Sequence, residues 1–448
     1  MSQIRTRFAP SPTGSMHIGN LRTALYAYAL AKHSDGKFIL RIEDTDKKRE
    51  VQGIVDEIKE QLSVFKLIWD EYYVQSERLN LYKKAAQKLV EENHAFYCQC
   101  LARNAKEEGY SEIVRDPCRD KNLKSGAIKL KVPAGEKISF KDFVLDKVIE
   151  WSTDTVPDTT LLKSEEEGAL PTYHLAAVVD DHEMKISHVL RGHDWMPSTP
   201  VHLLVYKYLG FEPPQIGHLT DILDPDGGKL SKRKGSVSVK EMLAEGYLPE
   251  ALLNFIMLLG WAPKDNRELF TLQEFVENFQ KGSLQIANPV FNRKKLDWFN
   301  GEYIRQLSVD QLNSLFIVHC SLFSSLNPKK QIAITKLVQD RIVKLSDFNT
   351  LAGFLFERPK VDVSLFSNLS FKEHLKGAIS SLASVSDWTN ETIQTSLTSL
   401  ISQNNWKTGD FFMSFRIALS GSKFTPPITN CAEILGKEET LSRLKSVL

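Results

Sequence analysis

Two segments of this 448-residue chain carry side chains suited to handling phosphate. The first, Ser11-Pro12-Thr13-Gly14-Ser15-Met16-His17-Ile18-Gly19-Asn20, gathers small residues around one histidine. Small residues let a backbone approach a ligand, and the free N–H groups and dipole of a helix N-terminus favour negative charge. A histidine there, His17, can donate to a phosphate oxygen as charge builds on it. The second is Gly228-Lys229-Leu230-Ser231-Lys232-Arg233-Lys234-Gly235, with glycine at both ends and four basic residues among the central six. A glycine-hinged basic loop can fold over a polyphosphate and stabilise a departing pyrophosphate. Each segment has an ordinary rival when taken alone, because His-Ile-Gly recurs by chance and charged loops are usually solvated. A third group, Cys98-Gln99-Cys100 with Cys118-Arg119-Asp120, has spacing that suits tetrahedral zinc. Asp120 would supply the fourth ligand, His94 is its rival, and three reduced thiols are the alternative to any metal.

These residues need elements to hold them. Residues 4–8 read as a short strand, and Ala9 to Gly14 as a turn-rich break. From Gly19, the apolar positions Leu21, Ala24, Leu25, Tyr28 and Ala29 follow helical spacing. Residues 37–42 then read as a buried strand running into Glu43-Asp44-Thr45-Asp46. Strand, helix, strand is the opening of a doubly wound α/β sheet, in which ligands bind beyond the carboxyl ends of the strands. A second helix is expected over about 51–67. Residues 71–165 read as an α+β insertion, with strand alternation at Ile128, Leu130 and Val132 and again at Ile138 and Phe140. Sheet-like sequence is expected at 173–179 and 186–190, and a helix at 199–209. Beyond about 305, Ser, Leu, Lys and Gln mix as they do in packed helices. The expected plan is therefore 1–70 and 166–222 as two halves of one domain, 71–165 as its insertion, 223–304 around the basic loop, and 305–448 as a helical domain.

Composition limits the function classes. With 42% hydrophobic and 25% charged residues the chain reads as an ordinary globular protein. It lacks the roughly 18 unbroken apolar residues of a membrane span, and its first ten residues have no signal-peptide core. Five cysteines, an odd number in a long chain, predict a reducing compartment, the cytoplasm. A net charge of +1 neither announces nor excludes a nucleic acid, since local basic faces bind phosphate.

Taken together, the two phosphate segments resemble the "HIGH" and "KMSKS" signatures of class I aminoacyl-tRNA synthetases, in the right order and some 210 residues apart. Longer stretches narrow the resemblance to the bacterial-type glutamyl enzymes: Arg7 to Gly14, Arg41 to Asp46, Tyr173 to Asp181, His188 to Gly192 and Gly246 to Asn254. It runs through nearly the whole chain, dense to about 305 and thin afterwards. The family implies a Rossmann-like catalytic domain, an acceptor-binding insertion and a helical anticodon-binding region. It implies ATP-dependent activation of L-glutamate and its transfer to tRNA(Glu), with Mg²⁺ accompanying ATP, one structural zinc in many members, and a monomer. By resemblance, Arg7, Ala9, Ser11, Glu43, Tyr173 and Arg191 contact the amino acid, and either Arg7 or Arg191 would meet its side-chain carboxylate. His17 and Gly19 would lie against ATP, with Lys229, Ser231, Lys232 and Arg233 closing over the phosphates; His17 and Lys232 would carry the catalysis. Two positions depart from the signatures: Asn20 stands in place of the second histidine, and Arg233 in place of serine. Full length argues against small nucleotidyltransferases and shortened relatives, and the presence of His17, Lys232 and Glu43 against a non-catalytic RNA-binding paralogue. Arg341 is a candidate anticodon contact, with an ordinary surface-helix arginine as the alternative.

Overall fold

Parallel strands form where apolar runs alternate with helices. Strands β1 (Arg5–Phe8), β2 (Lys37–Ile42) and β3 (Glu71–Val74) pair in parallel, in the order β1-β2-β3. Helix α1 (Ile18–Lys32) connects the first two, and α2 (Ile54–Val64) precedes the third. A second parallel ladder joins β9 (His188–Gly192) to β10 (Gln215–Leu219). It meets the edge of β1, where the Ser187 amide donates to Arg5 O at 2.9 Å. The ends of β1, β2 and β9 therefore open on one side, as expected for a doubly wound sheet. Between the two ladders lie α3 (Leu79–Glu91), the antiparallel strands β4 (Ala95–Cys98), β5 (Ala127–Leu130) and β8 (Thr160–Leu162), and the hairpin of β6 (Lys137–Asp142) and β7 (Lys147–Ser152).

The computed structural model describes residues 3–100, 114–230, 237–367 and 369–448. It divides into Met1–Met242 with Leu252–Asn292, and Leu243–Ala251 with Arg293–Leu448. The expected strand at 173–179 is a helix, α4 (Tyr173–Glu183). Its residues from Leu175 to Asp181 are all buried, so no polar face interrupts the apolar run. A helix buried on every side loses the periodicity that would distinguish it from a strand. The expected helix at 199–209 forms as α5 (Thr199–Leu209). In the second unit, helices including Val309–His319, Phe371–Ala383 and Thr408–Ser420 share one core, in which Leu312, Phe316, Leu375 and Phe415 are wholly or almost wholly buried.

Candidate active site

At the carboxyl ends of β1, β2 and β9 lies a cleft of about 330 Å³ whose walls include Arg7, His17, Glu43, Tyr173 and Arg191. Ala9 and Ser11 line the same cleft. One hydrogen bond, from the Glu43 amide to Pro10 O at 3.0 Å, ties the end of β2 to the turn that carries them.

Four charges form a buried square at one end. Arg7 Nε donates to Asp181 at 3.1 Å and its Nη1 to Leu190 O at 3.2 Å. Arg41, fully buried, donates to the same Asp181 oxygen at 2.6 Å and to Glu43 at 3.0 Å. Burial works to raise the Asp181 carboxyl, but Arg7 and Arg41 outweigh it and hold it below its ordinary value. At Glu43 burial prevails over the same two arginines, and its carboxyl is raised. Arg41 and Asp181 were not singled out from the sequence as site residues, because their roles depend on partners 140 and 174 positions apart.

Arg191 is handled differently. It is 6% exposed at the cleft wall. Its nitrogens reach His218 Nε2 (3.0 Å), Tyr173 Oη (3.2 Å), His202 Nδ1 (3.2 Å) and Thr199 Oγ1 (2.8 Å). Burial and the nearby guanidinium push both histidines below their usual range, although Asp142 opposes this at His218, so both imidazoles are neutral. Among the described residues no carboxylate lies within ion-pair distance of Arg191. Tyr173 is held by Trp195 and His202, with ring centroids 4.2 and 5.1 Å away.

The other end of the cleft is exposed. His17 caps α1: its Nδ1 accepts from the Gly19 amide at 3.0 Å, while the Asn20 side chain accepts from the His17 amide at 3.2 Å. Asn20, the departure from the signature, thus completes a reciprocal cap. Gly19 permits the fold-back, because a Cβ there would sit 2.9 Å from the His17 ring. The strand-like residue after the basic loop, Ser238, pairs with His17, and Ile18 and Val239 exchange backbone bonds with Val237 and Met16. On the other stem, Lys229 pairs with Asp194 and, at 3.1 Å, with Asp221. The far end of the loop is thereby stapled to the first signature. Ser231, Lys232 and Arg233 lie outside the described residues.

In the insertion, Cys98, Cys100, Cys118 and Asp116 place one ligand atom each within 4.8 Å of one another. Cys100 and Cys118 sulfurs are 3.4 Å apart, and Cys98 Sγ lies 3.3 Å from Asp116. The acid in the cluster is Asp116, not Asp120, which is exposed and faces Lys131 at 3.5 Å. The turn that buries Cys118 lets Asp116 accept from the Cys118 amide at 2.8 Å and sends Asp120 outward. His94 is also elsewhere, stacked on Tyr208. Arg341 is exposed.

Known proteins resemble this chain along its length. The family "tRNA synthetases class I (E and Q), catalytic domain" matches residues 3–298, and "Anticodon binding domain" matches 284–448. A glutamate–tRNA ligase of Dehalococcoides mccartyi is 39% identical, with 99% of this chain and 97% of that protein covered. One of Clostridium novyi is 38% identical, with the same two shares. A solved glutamate tRNA ligase from Elizabethkingia meningosepticum, in complex with its amino acid, has a TM-score of 0.85 at 30% identity, covering 100% of this chain and 99% of that one. The chain belongs to the class I tRNA synthetases of the glutamate and glutamine group, with an anticodon-binding domain following the catalytic one.

Proposed function

We propose that this chain is a glutamate–tRNA ligase that activates L-glutamate with ATP and transfers it to the 3′ end of tRNA(Glu), releasing AMP and diphosphate. The observation that carries the choice of amino acid is Arg191, a buried cation at the cleft wall held, among the described residues, only by neutral groups. A buried charge is costly until an opposite charge meets it. A glutamate side chain supplies that charge, and a planar guanidinium matches a carboxylate; the amide of glutamine does not. Arg7 is already paired with Asp181, which favours Arg191 as the reader of the side chain. Glu43, held by Arg41, offers an acceptor for the α-ammonium.

The amino-acid carboxylate then attacks the α-phosphorus in line, and the bond to pyrophosphate breaks. Alignment and charge neutralisation suffice for this step. His17 lines the proposed phosphate end, Gly19 follows it at the start of α1, and by family resemblance Lys229, Ser231, Lys232 and Arg233 of the basic loop would close over the phosphates. Mg²⁺, which the class uses with ATP, would supply neutralisation of phosphate charge when bound. The ribose hydroxyl of the tRNA end attacks the adenylate carbonyl next, and AMP leaves. No protein nucleophile is required.

Three thiols and one carboxylate with mutual separations under 4.8 Å fit a tetrahedral zinc, so Cys98, Cys100, Cys118 and Asp116 would hold it and clamp the insertion. Lys129, 2.6 Å from Asp116, offsets part of the excess negative charge. Free thiols at all five cysteines support a cytoplasmic location.

Aminoacylation of purified tRNA(Glu) and tRNA(Gln) with labelled glutamate or glutamine tests the reading. Charging with glutamate, abolished or shifted to a much higher glutamate KM in Arg191→Gln, supports it. Equal use of glutamine sinks it. Elemental analysis tests the metal: about one zinc per chain, lost in Asp116→Ala but not in Asp120→Ala.

A further inference from the structure

Asp142 ends β6, inside the insertion, and is fully buried without facing the cleft. Its Oδ1 accepts from the Val144 and Leu145 amides at 2.9 and 3.0 Å. Its Oδ2 accepts from the His218 amide at 3.1 Å and faces His218 Nδ1 at 2.6 Å. Across the same ring, Nε2 stands 3.0 Å from Arg191 Nε. An arginine Nε can only donate, so Nε2 must be bare and the imidazole proton must sit on Nδ1, donating to Asp142. Each atom in the chain from carboxylate to guanidinium has one permitted role. The turn that follows Asp142 is fitted closely to β10: Phe143 N donates to Ile216 O at 3.2 Å, and a Cβ on Gly217 would lie 2.6 Å from Val144.

We infer that the Asp142–His218 pair is a positioning device for Arg191, so that a residue of the insertion sets how well the cleft reads the glutamate side chain. This rests on the reading that Arg191 meets that side chain. With His218 locked in one tautomer, Arg191 Nε has a fixed acceptor and the guanidinium keeps its angle at the cleft wall. Removing the charge of Asp142 reverses the tautomer. In Asp142→Asn the oxygen keeps the two amides of Val144 and Leu145 rather than the single, longer bond from the His218 amide, which turns the NH₂ toward His218 Nδ1. That nitrogen then accepts, Nε2 carries the proton, and two N–H groups face each other at Arg191.

The test is steady-state aminoacylation of tRNA(Glu) by the full chain at varied glutamate and varied ATP, with thermal melts of every variant. Asp142→Asn should raise the glutamate KM about tenfold or more, leave the ATP KM within about twofold, and lower the preference for glutamate over glutamine. In a His218→Gln background, where the side-chain oxygen can accept from Arg191 without any tautomer, Asp142→Asn should add little. A glutamate KM within twofold of wild type in folded Asp142→Asn overturns the inference, as does an equal rise in the ATP KM. So does the same penalty in the His218→Gln background. If Asp142→Asn does not fold, His218→Leu and His218→Gln carry the test: only leucine, which offers no acceptor, should raise the glutamate KM, and equal values overturn the role. Arg191→Gln run in parallel separates the two claims. An unchanged glutamate KM there removes the reading of Arg191 itself, whereas a change there with none in Asp142→Asn removes only the positioning device.

Discussion

The two ends of the cleft are built on opposite principles. At the end proposed for the amino acid, Arg7, Arg41 and Asp181 are buried, Glu43 is nearly so, and the protein itself supplies their counter-charges. At the phosphate end, His17 is exposed and Lys229 is half exposed, held by surface acids. A small zwitterion must be told apart from close analogues, and that requires groups fixed before it arrives, since unpaired polar groups penalise the wrong ligand. A triphosphate presents so much charge that recognition needs little, and what matters is charge placed where it develops in the transition state. The difference predicts that the first end is coupled to folding and the second is not.

Arg41→Met is the harshest way to break this contrast. It leaves Glu43, Asp180 and Asp181 without the cation between them, and stranding buried charge costs about 3–5 kcal/mol. Urea unfolding should show that loss. Lys232→Ala should show none, yet slow adenylate formation roughly 10²–10³-fold in single-turnover kinetics. Stability equal to wild type in Arg41→Met, or a destabilised Lys232→Ala, would reverse the assignment of the two ends.

A smaller effect sharpens the same point through pH. Because the folded Asp181 pKa is depressed, its stabilisation is present above the unfolded value of about 3.9 and is lost as pH falls through the folded value. The Asp181 contribution should therefore hold to about pH 4 and be lost below it, by roughly 1.4 kcal/mol for each unit of depression. It is separate from a decline that begins at about pH 6.5, as the buried, depressed His202 and His218 resist protonation. Arg41→Met should shift that acid limb upward in pH. An identical limb in both proteins would mean that Arg41 does not hold the Asp181 charge.

Legibility followed the same division. The proposed phosphate end has a local pattern because its residues are near neighbours in sequence: His17, Gly19 and Asn20 within one turn, and the glycines around Lys232 within one loop. The amino-acid end gave up its outward-facing members, Arg7, Glu43, Tyr173 and Arg191, through resemblance. Its supports, Arg41, Asp181, His218 and Asp142, stayed hidden, because a buried pair such as Asp142 and His218 is separated by 76 residues and leaves no local pattern. Asp116 was missed for a third reason. The mirrored look of Cys118-Arg119-Asp120 suggested symmetry with Cys98-Gln99-Cys100, whereas the turn brings in the acid from the other side. Helix α4 was misread as a strand because its apolar run fits either period.

The mildest perturbation tests how separate the phosphate end is. Gly19→Ala places a Cβ 2.9 Å from His17 Cε1 and 3.1 Å from Nδ1, so the ring must swing away from the Gly19 amide. Losing that side-chain cap costs about 1 kcal/mol. Alanine in place of glycine within the first turn returns up to about 1 kcal/mol through helix propensity. The two offsets nearly cancel, and the melting temperature should move by no more than a few degrees in either direction. Activity has no such compensation. His17 would leave the position it shares with the backbone bridge to Ser238, and a displacement near 1 Å at a reacting group costs up to about 10²-fold. The expected result is adenylate formation slowed about tenfold or more, an unchanged glutamate KM, and near-wild-type unfolding. A glutamate KM that rises along with the loss of rate would show that the two ends communicate through α1, and the division drawn from their burial would no longer hold.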